Sequence, residues 1–183
     1  GGIDGTVREL LRHRPARIDA VELDPALIAM VRRRLPEEIR ASLAHPSVHP
    51  ITADPRRFLK ESSASYDLIL IGMPEPSSGQ TNRFYTQEFF RECAARLNPG
   101  GVIGFRLHTA ENFWTPQLTR RTASIHHALA SVFPEVLVLP GTTTVITASH
   151  TPLPRSPDIL NERLRTRGIR ARLITPPYIR YLF

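Results

Sequence analysis

The stretch Gly1-Gly2-Ile3-Asp4-Gly5, followed after a helical run by Val21-Glu22-Leu23-Asp24-Pro25, decides how this chain folds. A glycine-rich turn that opens a helix lets backbone approach a ligand closely, and the helix N-terminus presents unpaired N–H groups. Glu22 falls 17 positions after Gly5, at the end of the short apolar run Ile18, Ala20, Val21. A strand-end carboxylate at about that spacing accepts hydrogen bonds from ribose hydroxyls in nucleotide-binding α/β folds. The competing reading is a plain βα turn with a surface glutamate; a second acidic strand end, Asp54, favours the nucleoside site. The glycines lack the Gly-x-Gly-x-x-Gly spacing of NAD-type oxidoreductases, which disfavours that class. Such a turn normally follows a strand, and none precedes Gly1. The chain therefore reads as a fragment of a longer protein, with its first strand and N-terminal part missing.

Outward from this stretch the pattern alternates. Asp4 is placed to cap a helix over Thr6 to Leu11, and Arg17 to Leu23 reads as a strand. Pro25 opens a helix to about Leu35, and Pro36 starts another segment through Ile39. Val48 to Ile51 is a short strand that ends at Thr52-Ala53-Asp54, before a helix over Arg56 to Lys60. Asp54 reads as a helix N-cap, as a ligand carboxylate, or as both. Tyr66-Asp67-Leu68-Ile69-Leu70-Ile71-Gly72 has the unbroken apolar run of a strand buried on both faces. It runs into Met73-Pro74-Glu75-Pro76-Ser77-Ser78-Gly79, whose prolines exclude helix and inner strand. An amphipathic helix over Thr86 to Leu97 closes at Asn98-Pro99-Gly100-Gly101 before a strand over Val102 to Leu107. A long helix over Thr115 to Phe133 precedes two strands, Glu135 to Leu139 and Thr143 to Thr147, expected as an antiparallel edge hairpin. Residues 151–183 add a final helix over Pro157 to Arg167 and an aromatic tail, Ile174 to Phe183, expected to pack on the body.

The expected fold class is thus α/β: one domain over residues 1–183, a doubly wound, mostly parallel sheet with helices on both faces. Ligands of such sheets bind outside the carboxyl ends of the strands, where Gly5, Glu22, Asp54 and Gly72 to Pro76 all fall.

Composition bounds the function. No apolar run approaches the ~18 residues of a membrane span. The single cysteine, Cys93, excludes an internal disulfide and a cysteine-based zinc cluster, and sits at helical spacing among Phe89, Phe90 and Leu97 as a small core residue. No metal is expected. The formal charge is +7, with Lys60 the only lysine. The arginines are dispersed, Arg32 to Arg34 being the one triple, and no RNA-type aromatic motif accompanies them. A solvated helix face explains them better than a nucleic-acid partner, and cysteine usage fits a cytoplasmic location.

In this order the motifs resemble the spermidine/spermine synthase (aminopropyltransferase) family, a branch of the Rossmann-like, S-adenosylmethionine-dependent methyltransferase superfamily. Gly1 to Gly5 is similar to that family's Gly-Gly-Gly-Asp-Gly turn, Glu22-Leu23-Asp24 to its Glu-Ile-Asp strand end, and Thr52-Ala53-Asp54 to its Gly-Asp-Gly. Tyr66-Asp67-Leu68-Ile69 resembles its Tyr-Asp-Val-Ile strand, Phe84 to Phe90 the lead into its next helix, and Pro99-Gly100-Gly101 closes the match. The resemblance covers roughly the first 110 residues. It implies decarboxylated S-adenosylmethionine, or S-adenosylmethionine itself, as co-substrate, and a polyamine acceptor. Glu22 would hold the ribose hydroxyls and Asp54 the adenine amino group. Gly1, Gly2, Asp4, Gly5 and Gly72 would lie against the cofactor. The loop Pro74 to Ser78 and the ending Pro177 to Leu182 look like bacterial synthase-like domains fused to transmembrane segments. This implies the cytoplasmic domain of a membrane-fused parent, and a homodimer is a further expectation.

One departure bears on chemistry. The family's Asp-Ser-Ser-Asp-Pro aligns with Gly72-Met73-Pro74-Glu75-Pro76, so the first aspartate, which accepts or orients the amine's proton, is Gly72 here. Glu75 and His108 are the candidate replacements as base, each against a bland surface or structural reading. Glu75 is also a candidate substrate contact, with Asn82 and Tyr85 on the following loop, the last two against ordinary turn and packing roles. A methyltransferase with another acceptor, or a non-catalytic nucleoside sensor, are the alternatives.

Overall fold

The computed structural model describes residues 5–110 and 113–183, with the backbone alone at Leu27, Val31 and Arg32. Gly1, Gly2 and Asp4, and with them the proposed Asp4 cap, lie outside the described residues. The chain forms two compact units, one up to Ser62 and one from Ser63 to Phe183.

The first unit holds α1 (Thr6–Leu11), β1 (Ile18–Glu22), α2 (Pro25–Arg32), α3 (Glu37–Leu43), β2 (Val48–Thr52) and α4 (Pro55–Glu61). β1 and β2 pair in parallel, with Ile18 opposite Val48 and Glu22 opposite Thr52. Pro25 sits at the start of α2 as expected, because the N–H it lacks would be unpaired there anyway. Pro36 precedes α3 as its N-cap instead of beginning it. Val7, Leu43 and Val48 form the buried cluster, against which Leu11, Ile18, Ala20, Leu35 and Ile39 pack.

The second unit holds β3 (Tyr66–Ile71), α5 (Gly79–Asn82), α6 (Gln87–Ala94), β4 (Leu97–His108), α7 (Pro116–Ala130), β5 (Glu135–Leu139), β6 (Thr143–Ser149), α8 (Pro157–Thr166) and α9 (Pro176–Tyr181). Its sheet runs β3-β4-β6-β5. β3 and β4 are parallel, whereas β6 is antiparallel to both β4 and β5. The α/β class therefore holds, with a mixed sheet. The late strands form the expected antiparallel pair, with β6 inside the sheet and β5 at its edge. Ile103, Phe105 and Leu107 alternate onto the buried face of β4, where Phe90 stacks on Phe105 at 5.9 Å between ring centroids. Cys93 is fully buried on α6, as its helical spacing indicates.

Three expectations are corrected here. Leu68 and Leu70 of β3 are 43% and 46% exposed, so this strand is not covered on both faces. β4 begins at Leu97, so Asn98 to Gly101 lie within an irregular strand instead of closing a helix. The ladder jumps from Tyr66 opposite Leu97 to Leu68 opposite Val102, and Gly100 takes up the bulge at φ 79°. A Cβ on Gly101 would lie 2.9 Å from the Asn98 carbonyl oxygen, so only glycine fits beside it. In the tail, Ile179 is buried, but Tyr178, Tyr181 and Phe183 are exposed, because one face of a short helix reaches the body.

Candidate functional site

In the first unit, Gly5 is the N-cap of α1 with φ 92°, a left-handed conformation in which glycine pays no steric penalty. Val7, two residues on, is the buried anchor of that helix. Glu22 ends β1, half-buried, and its Oε1 accepts from the Leu23 N–H at 2.9 Å. The Ala53 N–H donates to the Glu22 carbonyl at 3.1 Å, which ties the end of β1 to the segment carrying Asp54. Asp54 follows the end of the neighbouring strand β2, so the two acidic side chains emerge from adjacent carboxyl ends of a parallel pair. Both are acceptors, suited to a diol and to an exocyclic amino group respectively.

Asp54 also caps α4: its Oδ1 accepts from the N–H groups of Arg56 at 3.0 Å and Arg57 at 3.2 Å. The capping reading is therefore satisfied. Asp54→Ala should cost about 1 kcal/mol of stability, whereas Asp54→Asn should keep it, because asparagine caps as well as aspartate. Thermal unfolding checks the pair. If Asp54 also holds a nucleoside, Asp54→Asn should still weaken its binding.

In the second unit, β3 leads into Gly72, which is exposed; a Cβ there would meet nothing within 4 Å. The loop that follows is fastened along its length. The Tyr85 hydroxyl donates to the Met73 carbonyl at 3.0 Å. Glu75 Oε1 accepts from the backbone N–H of His108 at the end of β4, and its Oε2 pairs with Arg121 Nη1 at 3.0 Å. Arg121 Nη2 donates to the His108 carbonyl at 2.7 Å. Ser78 and Thr81 close a capping box at the start of α5.

Glu75 and Arg121 side chains are 27% and 28% exposed, so their pair is better shielded than a surface ion pair, which is worth ~0–1 kcal/mol. Arg121 Nε is buried without a hydrogen-bond partner among the described residues. An unpaired donor of that kind costs about 1–3 kcal/mol, which the two engaged guanidinium nitrogens offset. The His108 side chain is exposed, while its backbone serves both partners. Asn82 is exposed at the end of α5.

Tyr85 is 3% exposed and packs edge-on against Phe105. Burial pushes its phenol up from 10.0 to about 12, the Glu75 charge adds to the rise, and the Arg121 cation opposes it. The sign follows directly. Below pH 10 the phenol is protonated in both folded and unfolded chains, so its stabilising contribution is fully present there. As pH rises from 10 toward 12 the unfolded chain ionises first, and stability falls by up to about 1.4 kcal/mol per pH unit. Tyr85→Phe should flatten this alkaline loss in urea titrations between pH 9 and 11.

Sequence reasoning had no means of finding Arg121. It lies 46 positions from Glu75 on a helix that also carries Arg120, and only its bonds to Glu75 and to the His108 carbonyl single it out. Among the described residues no group of three or more His, Cys, Asp or Glu side chains could hold a metal. No helix among them is long and apolar enough to cross a membrane.

Residues 1–150 match the spermine/spermidine synthase domain family. The chain belongs to that family. A polyamine aminopropyltransferase of Synechococcus sp. (strain JA-2-3B'a(2-13)) is 33% identical over 143 residues, 76% of this chain and 46% of that relative. The chain thus spans about half the length of such a relative. A spermidine synthase solved in complex with the transition-state analogue AdoDATO superposes over 100% of this chain and 63% of its own, with TM-score 0.81 and 22% identity. Human methyltransferase-like protein 13, solved with SAH, matches 94% of this chain and 81% of its own, with TM-score 0.69 and 19% identity. At these identities the two structures establish the fold: a spermidine synthase-like domain of methyltransferase-like architecture.

Proposed function

We propose that this chain acts as one aminopropyltransferase-family domain that binds decarboxylated S-adenosylmethionine and passes its aminopropyl group to a polyamine. The observation that carries the reading is the pair of acidic side chains at the adjacent carboxyl ends of β1 and β2, Glu22 and Asp54, in a unit whose α1 is capped by the left-handed Gly5. Glu22 accepts the ribose hydroxyls and Asp54 the adenine amino group. The glycine turn brings backbone close to the aminopropyl and sulfonium end.

In the reaction, the lone pair of an amine nitrogen forms a bond to the aminopropyl carbon beside the sulfonium. The carbon–sulfur bond breaks with its electrons to sulfur, leaving a neutral thioether nucleoside, and the nitrogen gives up a proton. That proton needs an acceptor. Gly72 carries none, and both oxygens of Glu75 are engaged by His108 and Arg121. This observation supports a second reading, in which the domain binds the nucleoside but serves another acceptor or has little turnover.

Calorimetry with decarboxylated S-adenosylmethionine, S-adenosylmethionine and the thioether product, each with and without diamines, separates the readings. Preference for the decarboxylated sulfonium, with product formation on adding a diamine, supports aminopropyl transfer. Preference for S-adenosylmethionine, with no diamine-dependent product, supports the second reading. Absence of binding by all three overturns both.

A further inference from the structure

We propose that Arg121 is a positioning residue, and that it fixes Glu75 as the brace of the loop after β3 and not as its proton acceptor. The arrangement is a closed ring of contacts. Arg121 Nη1 holds one Glu75 oxygen at 3.0 Å, the His108 N–H holds the other, and Arg121 Nη2 returns to the His108 carbonyl at 2.7 Å. Three elements meet in it: the loop after β3, the last residue of β4 and the second turn of α7. A planar guanidinium can bridge a carboxylate and a carbonyl at once, which the point charge of lysine cannot do with the same geometry.

The rest of the loop is tied down independently. Tyr85 holds the Met73 carbonyl, and Thr81 Oγ1 accepts from the N–H groups of Ser77 and Ser78 at 3.1 and 3.2 Å. Between these anchors, Glu75 ties the Pro-Glu-Pro centre to β4 through the His108 N–H and to α7 through Arg121. Both oxygens of this carboxylate are committed, one to a backbone N–H and one to a guanidinium. Its function is to set backbone geometry, so that the loop presents a preformed edge to whatever binds beside Gly72.

The inference rests on the aminopropyltransferase reading only for its kinetic test; a first measurement stands without it. Amide hydrogen exchange should be compared in the wild-type protein and in Arg121→Ala, Arg121→Lys and Glu75→Gln variants. Arg121→Ala should speed exchange of the Met73, Glu75 and Ser77 amides and of the His108 N–H at least tenfold. Lysine should restore part of that protection, and glutamine should keep the His108 bond, since its side-chain oxygen still accepts. Exchange within twofold of wild type in Arg121→Ala overturns the proposal. Should alanine prevent folding, the lysine and glutamine variants carry the same comparison.

Where the wild-type protein transfers aminopropyl groups, a brace makes Glu75→Gln and Arg121→Ala lower kcat by similar factors, with the double variant no worse than either single one. Affinity for the thioether nucleoside then stays within twofold, and the acid limb of the kcat–pH profile persists in Glu75→Gln. A loss in Glu75→Gln tenfold or more beyond that of Arg121→Ala, with the acid limb abolished, identifies Glu75 as the base and overturns the proposal. Failure of the wild-type protein to turn over at all counts against aminopropyl transfer, and the exchange result still decides the role of Arg121.

Discussion

Glu22→Ala lowers affinity for the thioether nucleoside on the order of 100-fold, measured by calorimetry against wild type. The magnitude follows from two charge-assisted hydrogen bonds to a ribose diol, about 1.5–3 kcal/mol each before the alanine site rehydrates. Glu22→Gln retains one acceptor oxygen and loses the charge, so it should fall between the two, near tenfold. The side chain is half-buried at the end of β1, and one of its oxygens holds the Leu23 N–H at 2.9 Å. Removing it therefore also loosens the entry to α2, and thermal unfolding of the free protein separates that loss from lost ligand contacts. Unchanged nucleoside affinity in a folded Glu22→Ala protein would remove the basis for the nucleoside site.

If the proposed aminopropyl transfer holds, Gly72→Asp raises it on the order of 10²-fold, at the low end of the 10²–10⁴ that a positioned proton acceptor contributes. The substitution has room: an added Cβ meets nothing within 4 Å, and the backbone there is not in the left-handed region. The new carboxylate would sit one residue beyond β3, ahead of the Met73 carbonyl that Tyr85 holds, with the Glu75–Arg121 ring undisturbed. Gly72→Ala, which adds bulk without a proton acceptor, should give no gain. A product assay with a diamine acceptor at pH 7–9 reads both variants. A flat response in Gly72→Asp, with nucleoside binding intact, would show that the acceptor side differs by more than its missing base.

Much of the chemistry was legible because it is local. Asp54, Thr86 and Thr115 announce helix starts, and each accepts from backbone N–H groups two or three residues on. The acidic strand ends were legible for the same reason, since a short apolar run followed by Glu22 or by Thr52-Ala53-Asp54 needs no distant information. The role of Glu75 was not. Its sequence neighbours are prolines and serines, which mark a loop and carry no sign of what the carboxylate touches.

The exposure of Leu68 and Leu70 was misjudged by the same limit. An apolar run tells which residues favour a buried strand, but burial depends on which elements lie against it. The amino-acid sequence by itself determined the family, the order of the strands and of the longer helices, and the places of Gly5 and the two acidic strand ends, while the short helices α5 and α9 were not read from it. Periodicity, capping and turn chemistry act over a few residues, and these features need nothing further. Only the tertiary structure decided that β6 enters between β4 and β5, and that Glu75 meets His108 and Arg121 across 33 and 46 positions. Contacts at such separations follow from sheet order and helix packing, where geometry and not sequence neighbourhood selects the partner.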